Sequence, residues 1–340
     1  MTGYGNFRYY AQTGDFSAGR VLQSLWRLNF LAAACCIVFR NSYMLYHICP
    51  MHTLFTLAVY AALAVAPSAN ASPRALALKF GACFAVVACM WELPGVFDAF
   101  WGPLKPLVGY TDPRRPSPDA LHEWRFRSGL DRYVWIHGML CAALQPSVDA
   151  ALSKVDASPR SLRVAARTAA GAAAAAALTL WARTVYVLPK IDYNRVHPYT
   201  SWVPITCWIV LRNIHPRLRQ RSVSLLAWCG VITLETYIAQ FHTWMATDIV
   251  DGQPKSLLAV VRGEEGGAPL VSFALFSALA LFLSRRLFLL TAALRDVVVP
   301  HAARATVTDA RLLARNAGAV VGVGVGLWGA GAAAVAVAGR

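Results

Sequence analysis

Residues Pro269 to Leu290 read PLVSFALFSALALFLSRRLFLL, a run with no charge before Arg285 and Arg286. Wound as an α-helix at 1.5 Å per residue, such a run is about 33 Å long, enough to cross the roughly 30 Å hydrocarbon core of a bilayer. It is not isolated. Apolar runs recur near 24–40, 42–66, 75–91, 130–145, 161–189, 199–211, 222–247, 269–290 and 317–338. Across all 340 residues 57% are apolar and 14% charged, and the mean hydropathy is +0.46, which excludes an ordinary water-soluble pair of domains. An aromatic content of 11% excludes disorder, and neither heptads nor a three-residue glycine period is present. The reading is an all-α, polytopic membrane bundle of about nine spans. Pro94, Pro103 and Pro106 interrupt the stretch 92–110, which therefore reads as interfacial or re-entrant rather than as a continuous helix.

The chain carries 32 Lys and Arg against 17 Asp and Glu, a net charge of +15. The basic residues sit in short clusters between apolar runs, the pattern of cytosolic loops and not of a nucleic-acid surface. Placing Arg212, Arg217, Arg219 and Arg221 in the cytosol sends the acidic loop 248–268 (Asp248, Asp251, Glu264, Glu265) to the far side. It returns Arg285 and Arg286 to the cytosol, together with Lys154, Arg160, Arg163, Arg167, Arg8, Arg20 and Arg27. The loop 111–129, with Arg114, Arg115, Arg125 and Arg127, violates this orientation, and function is one explanation. The eight cysteines lie in or beside apolar runs without a CxxC pair and read as packing residues. The polar start Thr2-Gly3-Tyr4-Gly5-Asn6 does not read as a cleavable signal peptide.

Two segments are biased. The alanine run 169–177 predicts a closely packed helix. The tail holds two overlapping GxxxG spacings at Gly318, Gly322 and Gly326, which also predict close packing. Its formal GxGxxG lacks the strand that a nucleotide-binding turn needs.

Ionisable residues in or beside spans are costly and so informative. The densest group runs from His122 to Tyr133, HEWRFRSGLDRY. A continuous helix would align Glu123, Arg127 and Asp131 on one face; alternatively Ser128 caps a helix with Asp131 at N3. The whole group also reads as an interfacial anchor of snorkelling arginines. A second group is Asp192 to Ser201, in which Pro198 suits the first turn of a helix and places His197 beside its positive end, as a neutral base or as a capping residue. The third is Glu235 and His242, seven apart and hence on one helix face, either a functional pair or buried structural hydrogen bonds. His47 and His52 flank Pro50 in another span. All three groups fall on one side of the membrane, around one expected chamber. There is no GxSxG, HxxxxD, HExxH or P-loop motif, so neither a serine triad nor a metal site is expected. General-base activation of a hydroxyl by histidine, with arginines holding an anionic donor, needs none of these.

At these groups the sequence resembles a known family. The blocks LHEWRFRSGLDRYVWIHGM (121–139), HPYTSWVPITCWIVLRN (197–213), LAWCGVITLETYIAQFHTW (226–244) and CPMHTLFTLAVY (49–60), with Asp251-Gly252-Gln253-Pro254-Lys255 and Arg285-Arg286-Leu287-Phe288, resemble the plant reduced wall acetylation proteins. Those belong with the multi-span acyltransferase domain of capsule and sialic-acid O-acetylation proteins. The resemblance covers about residues 1–300. It implies a Golgi membrane protein that moves acetyl groups from acetyl-CoA to hydroxyls of a cell-wall polysaccharide. By that comparison the chain is the C-terminal part of the family domain, with an acyltransferase-like region 1–315 and an extra Gly/Ala-rich segment 316–340. The roles that follow put proton transfer on His197 and His242 with Glu235, the fixing or polarising of the acyl carbonyl on Arg127 and Arg132 with Asp131, further substrate binding on Glu123, Arg125 and His52, and the CoA phosphates on Arg212, Arg217, Arg219 and Arg221. Membrane lipid and a lumenal acetyltransferase are the expected partners. The rival readings are a carrier that supplies acetyl groups to such a transferase, and a scaffold.

Overall fold

The computed structural model describes residues 2–254, 256–257, 268–299 and 310–338. Its helices are α1 (Thr2–Thr13), α2 (Ala18–Phe39), α3 (Ile48–Ala64), α4 (Pro73–Glu92), α5 (Val96–Trp101), α6 (Lys105–Val108), α7 (His122–Leu130) and α8 (Val134–Ala157). They continue as α9 (Arg160–Trp181), α10 (Lys190–Thr200), α11 (Trp202–Asn213), α12 (Pro216–Arg219), α13 (Ser224–Val231), α14 (Thr233–Thr243), α15 (Ala268–Val298) and α16 (Ala310–Ala338). The strand content among the described residues is one antiparallel pair, Met245–Ala246 with Ser256–Leu257. The chain is an all-α polytopic membrane protein. Lys255, Glu264 and Glu265 lie outside the described residues.

Among the described residues four helices are long and apolar enough to cross a membrane, Ala18–Phe39, Pro73–Glu92, Arg160–Tyr186 and Leu270–Asp296; a fifth span is broken, α13 and α14 meeting at 74°. Of the other predicted runs, α3 has 17 residues, α11 has 12, α8 carries Pro146 inside it, and the run 317–338 lies within the 29-residue α16. Residues 92–110 form three short pieces, α5, a 3-10 turn at Gly102–Leu104 and α6, as three prolines require.

The chain divides into two compact units. The first comprises Met1–Gly14, Ala58–Val96 and Phe126–Ala227. In it α1 crosses α8 at glycines: a Cβ on Gly3 would stand 1.8 Å from the Trp135 carbonyl oxygen, and one on Gly138 2.9 Å from the Tyr4 amide nitrogen. The polar N-terminal segment is therefore a packed helix. The alanine-rich α9 lies against α11, with Gly171 facing Ile214 and Ala174 buried, close packing as its composition predicts.

The second unit comprises Asp15–Leu57, Phe97–Arg125 and Trp228–Arg340. Its core gathers Leu31, Ala32, Leu45, Tyr46, Cys49 and Ile238. In α16 the contact with α2 falls at Gly331, over Val38, whereas no atom lies within 4 Å of a Cβ built on Gly318, Gly322 or Gly326. The predicted GxxxG packing is thus displaced to another glycine of the same helix. Here too the orientation anomaly receives its account. Arg114 pairs with Asp248 and donates to the Gln253 carbonyl at 2.7 Å and to Thr247 Oγ1 at 2.9 Å. Arg125 pairs with Asp98 and lies 4.8 Å over the Phe97 ring. Both guanidiniums fasten loops. The same strap is closed by Asp251, whose carboxylate accepts from the Ser42 amide at 2.6 Å and from the Ser42 hydroxyl, and whose carbonyl accepts from Tyr110 Oη at 2.8 Å. Asp251 does this at φ 61°, a conformation Asp and Asn tolerate better than most residues. Burial, then the Asp251 charge, pushes the Tyr110 phenol up, so it stays a hydroxyl donor.

Candidate functional site

Two sets of polar residues stand out, one in each unit. In the first unit, α7 ends at Leu130 and Asp131, Arg132 and Tyr133 form the turn into α8. Neither helix expectation for 122–133 holds as stated: Glu123 and Arg127 are on α7, Asp131 is past its end, and Ser128 is a fully buried helical residue rather than a cap. A correction also applies to His197. It occupies the last turn of α10, with Pro198 inside that helix, not the first turn of a following one. Proline costs a helix the hydrogen bond at its own nitrogen, and α10 ends two residues later. His197 therefore sits at the end of a helix that favours positive charge, the reverse of the predicted dipole.

Around that turn the side chains meet. Arg132 donates Nη2 to Glu92 Oε1 at 2.6 Å and to Tyr199 Oη at 2.8 Å, and Nη1 to the Gly129 carbonyl at 3.1 Å. Tyr199 Oη donates in turn to Glu92 Oε1 at 2.6 Å. The structure brings Asp131 and His197 together, with Oδ1 and Nε2 3.8 Å apart. The other imidazole nitrogen is 2.9 Å from Tyr193 Oη, and Tyr193 is braced edge-on by Trp181 and Tyr186. The direction of that bond follows the tautomer; in the Nδ1–H form it runs to Tyr193 Oη and leaves the lone pair on Nε2, and in either form 3.8 Å is too long for a hydrogen bond between Nε2 and Asp131. Below this polar lip opens a cavity of about 690 Å³, lined by Phe84, Ala88, Tyr133, His137, Tyr199 and Trp202 among others.

At the far end of α11 lie the predicted phosphate ligands. Arg212 is turned inward onto the carbonyls of Leu218 and Arg221. Arg219 pairs with Asp156, which also pairs with Arg167 at 2.7 Å. The hydrogen bond from Arg167, then the charge of Arg219, holds the Asp156 carboxyl below the usual carboxylate range. Arg217 and Arg221 are exposed, and no hydrogen bond or ion pair engages either side chain among the described residues.

In the second unit, Glu235 is fully buried in the first turn of α14 and takes a bidentate pair from Arg27 of α2, at 2.5 and 2.9 Å. Arg27 also donates to the Val231 carbonyl, 3.3 Å away, at the break between α13 and α14, where Thr233 Oγ1 covers the carbonyls of Cys229 and Gly230. These side chains satisfy backbone that the bend leaves unpaired. His242, in the last turn of α14, lies 2.7 Å from Tyr46 Oη and stacks on Phe39 at 4.2 Å. Asn41 Nδ2 donates to the same phenol at 3.0 Å, and which partner donates between Tyr46 and His242 follows the histidine tautomer. His52 is half-buried in α3. Arg27, Glu92 and Tyr46 were not legible as site residues, and Arg27 carries the one usable signal, an arginine within an apolar run; Tyr193 and Tyr199 fall inside the group Asp192 to Ser201 but were given no role there.

The fold is that of a polytopic membrane protein, and its first unit gathers Glu92, Asp131, Arg132 and His197 near residues that line a cavity. Residues 1–311 match the ten-transmembrane acyltransferase domain found in Cas1p, and the chain belongs to that acyltransferase family. Over 318 residues it is 31% identical to the N-acetylneuraminate (7)9-O-acetyltransferase of Danio rerio, covering 88% of this chain and 38% of that protein. The chain thus spans about two fifths of that relative's length. No solved structure matches it.

Proposed function

We propose that the domain transfers acetyl groups from acetyl-CoA to carbohydrate hydroxyls. The observation that carries the reading is the Asp131 and His197 pair, in which one imidazole nitrogen makes no hydrogen bond among the described residues. His197 Nε2 takes the proton of the acceptor hydroxyl as its oxygen attacks the thioester carbonyl. The new C–O bond replaces the C–S bond, and the proton passes to the departing CoA sulfur. Asp131 stabilises the imidazolium between these steps, and Arg132, held by Glu92, lies beside the developing oxyanion. Arg217 and Arg221 take the CoA phosphates, while Arg212 and Arg219 shape that end of α11. The name of the Danio rerio relative supports a carbohydrate acceptor. The blocks shared with the plant wall proteins support a wall polysaccharide in the Golgi lumen. Arg127 adds to substrate binding in the first unit; within the second unit, Glu123, Arg125 and His52 are candidates for substrate contact and Glu235 and His242 for proton transfer.

A second reading is favoured by one dimension. α11 has 12 residues, about 18 Å, between the phosphate end and His197, so the domain would pass acetyl along it to a separate lumenal transferase. Purified protein in liposomes with acetyl-labelled CoA separates the two. Label on an added oligosaccharide without a partner supports transfer; label carried into the liposome without transfer supports the carrier.

A further inference from the structure

The cavity in the first unit is unsuited to the polar substrates just described. Phe84, Ala85 and Ala88 come from α4, one of the membrane-spanning helices, and lie four to eight residues before its end at Glu92. They are therefore roughly 6 to 12 Å below that end along the axis. Val134, His137 and Leu140 descend from the start of α8, and Pro198, Tyr199, Ser201 and Trp202 close the side. The slot thus runs from a polar rim towards hydrocarbon depth. Its polar groups are few, and part of them is already engaged. His137 Nε2 is 3.0 Å from Thr206 Oγ1, and Tyr199 Oη is shared between Arg132 and Glu92. A sugar or a pantetheine arm placed there would bury hydroxyls or amides with few partners, at a cost of about 1–3 kcal/mol for each group left unpaired. A hydrocarbon chain loses nothing by entering.

The rim decides the head group. Arg132 is paired with Glu92 at 2.6 Å, and Asp131 adds a second carboxylate 3.8 Å from His197, so the Arg132 cation is not left uncompensated for an anionic head. We propose that this cavity is a lipid site, holding one hydrocarbon chain of a zwitterionic phospholipid whose head group rests on the Arg132, Glu92 and Tyr199 rim. The bound chain would wall the site from bulk lipid on one side and set the floor beneath His197. The proposal does not depend on the transfer reaction.

The test needs no catalytic assay. The full chain is reconstituted in phosphatidylcholine nanodiscs containing a phosphatidylcholine with a diazirine at the end of one acyl chain, irradiated, and mapped by mass spectrometry. Adducts are expected on Phe84 and Leu140, saturating with probe and displaced by unlabelled phosphatidylcholine but not by the same amount of phosphatidylglycerol. In Ala88→Trp, which fills the slot, these adducts are lost while adducts on Leu275 of α15 persist. Adducts at Phe84 and Leu140 that rise without saturation and survive Ala88→Trp would mean bulk lipid only and overturn the site. Preferential displacement by phosphatidylglycerol would overturn the zwitterionic assignment. Should Ala88→Trp fail to fold, the saturation and competition arms on the unaltered protein decide the matter alone.

Discussion

Glu235 is the most heavily committed carboxylate in the described chain. Its side chain is 0% exposed, and both its oxygens accept from Arg27. Removing one member of such a pair strands the other's charge, whereas replacing both by apolar residues of similar size is often neutral. Arg27→Leu should therefore lower stability by about 3–5 kcal/mol, and the double replacement Arg27→Leu with Glu235→Leu should recover most of it, read by thermal unfolding in detergent. Recovery of stability without recovery of acetyl transfer would mark the pair as functional; recovery of both would mark it as structural.

Asp156 makes a pH-dependent prediction. Its carboxyl is held below the ordinary range by Arg167 and Arg219, so it titrates lower folded than unfolded. Its contribution is full above the ordinary carboxylate pKa of about 3.9 and fades as pH falls through the depressed folded value. Wild type and Asp156→Asn should differ in melting temperature at pH 7 and converge in acid. A difference unchanged down to pH 3 would contradict the ion-pair account.

At the level of elements, the α1 and α8 crossing depends on two hydrogens where any other residue has a carbon. Gly138→Leu should cost roughly 1–3 kcal/mol through overpacking, and Gly3→Val should detach α1. Both are measurable as accelerated amide exchange over Thr2–Thr13. Exchange that stays unchanged in both variants would show that α1 does not need this close approach. How far such features were legible depends on range. The spans, the broken 92–110 segment and the close packing of the alanine run follow from composition and proline, which act locally. The pairings do not. Arg27 meets Glu235 across 208 positions and Arg114 meets Thr247 across 133, so an arginine bound for a loop carbonyl looks the same in sequence as one bound for a substrate. His197 lies in the last turn of α10 and not beside the start of a following helix, because a proline near a helix terminus has the same local signature at either end. Glu92, which holds Arg132, had no distinguishing mark at the end of its apolar run.

At the scale of the whole molecule, the chain is a membrane acyltransferase domain with polar machinery in both of its compact units. The first holds Asp131, Arg132 and His197 at the lip of a cavity. The second holds Glu235 and His242, each bound to a partner of its own. The central claim is that His197, oriented by Tyr193 and charge-matched by Asp131, is the base of an acetyl transfer. Its most direct measurement is kcat/KM for acetyl transfer to an oligosaccharide by purified, reconstituted protein and by His197→Ala at equal folded protein. The account predicts a loss of roughly 10²–10⁴-fold, the usual worth of a positioned general base, with a smaller loss for Asp131→Asn. An unchanged kcat/KM in His197→Ala would contradict it.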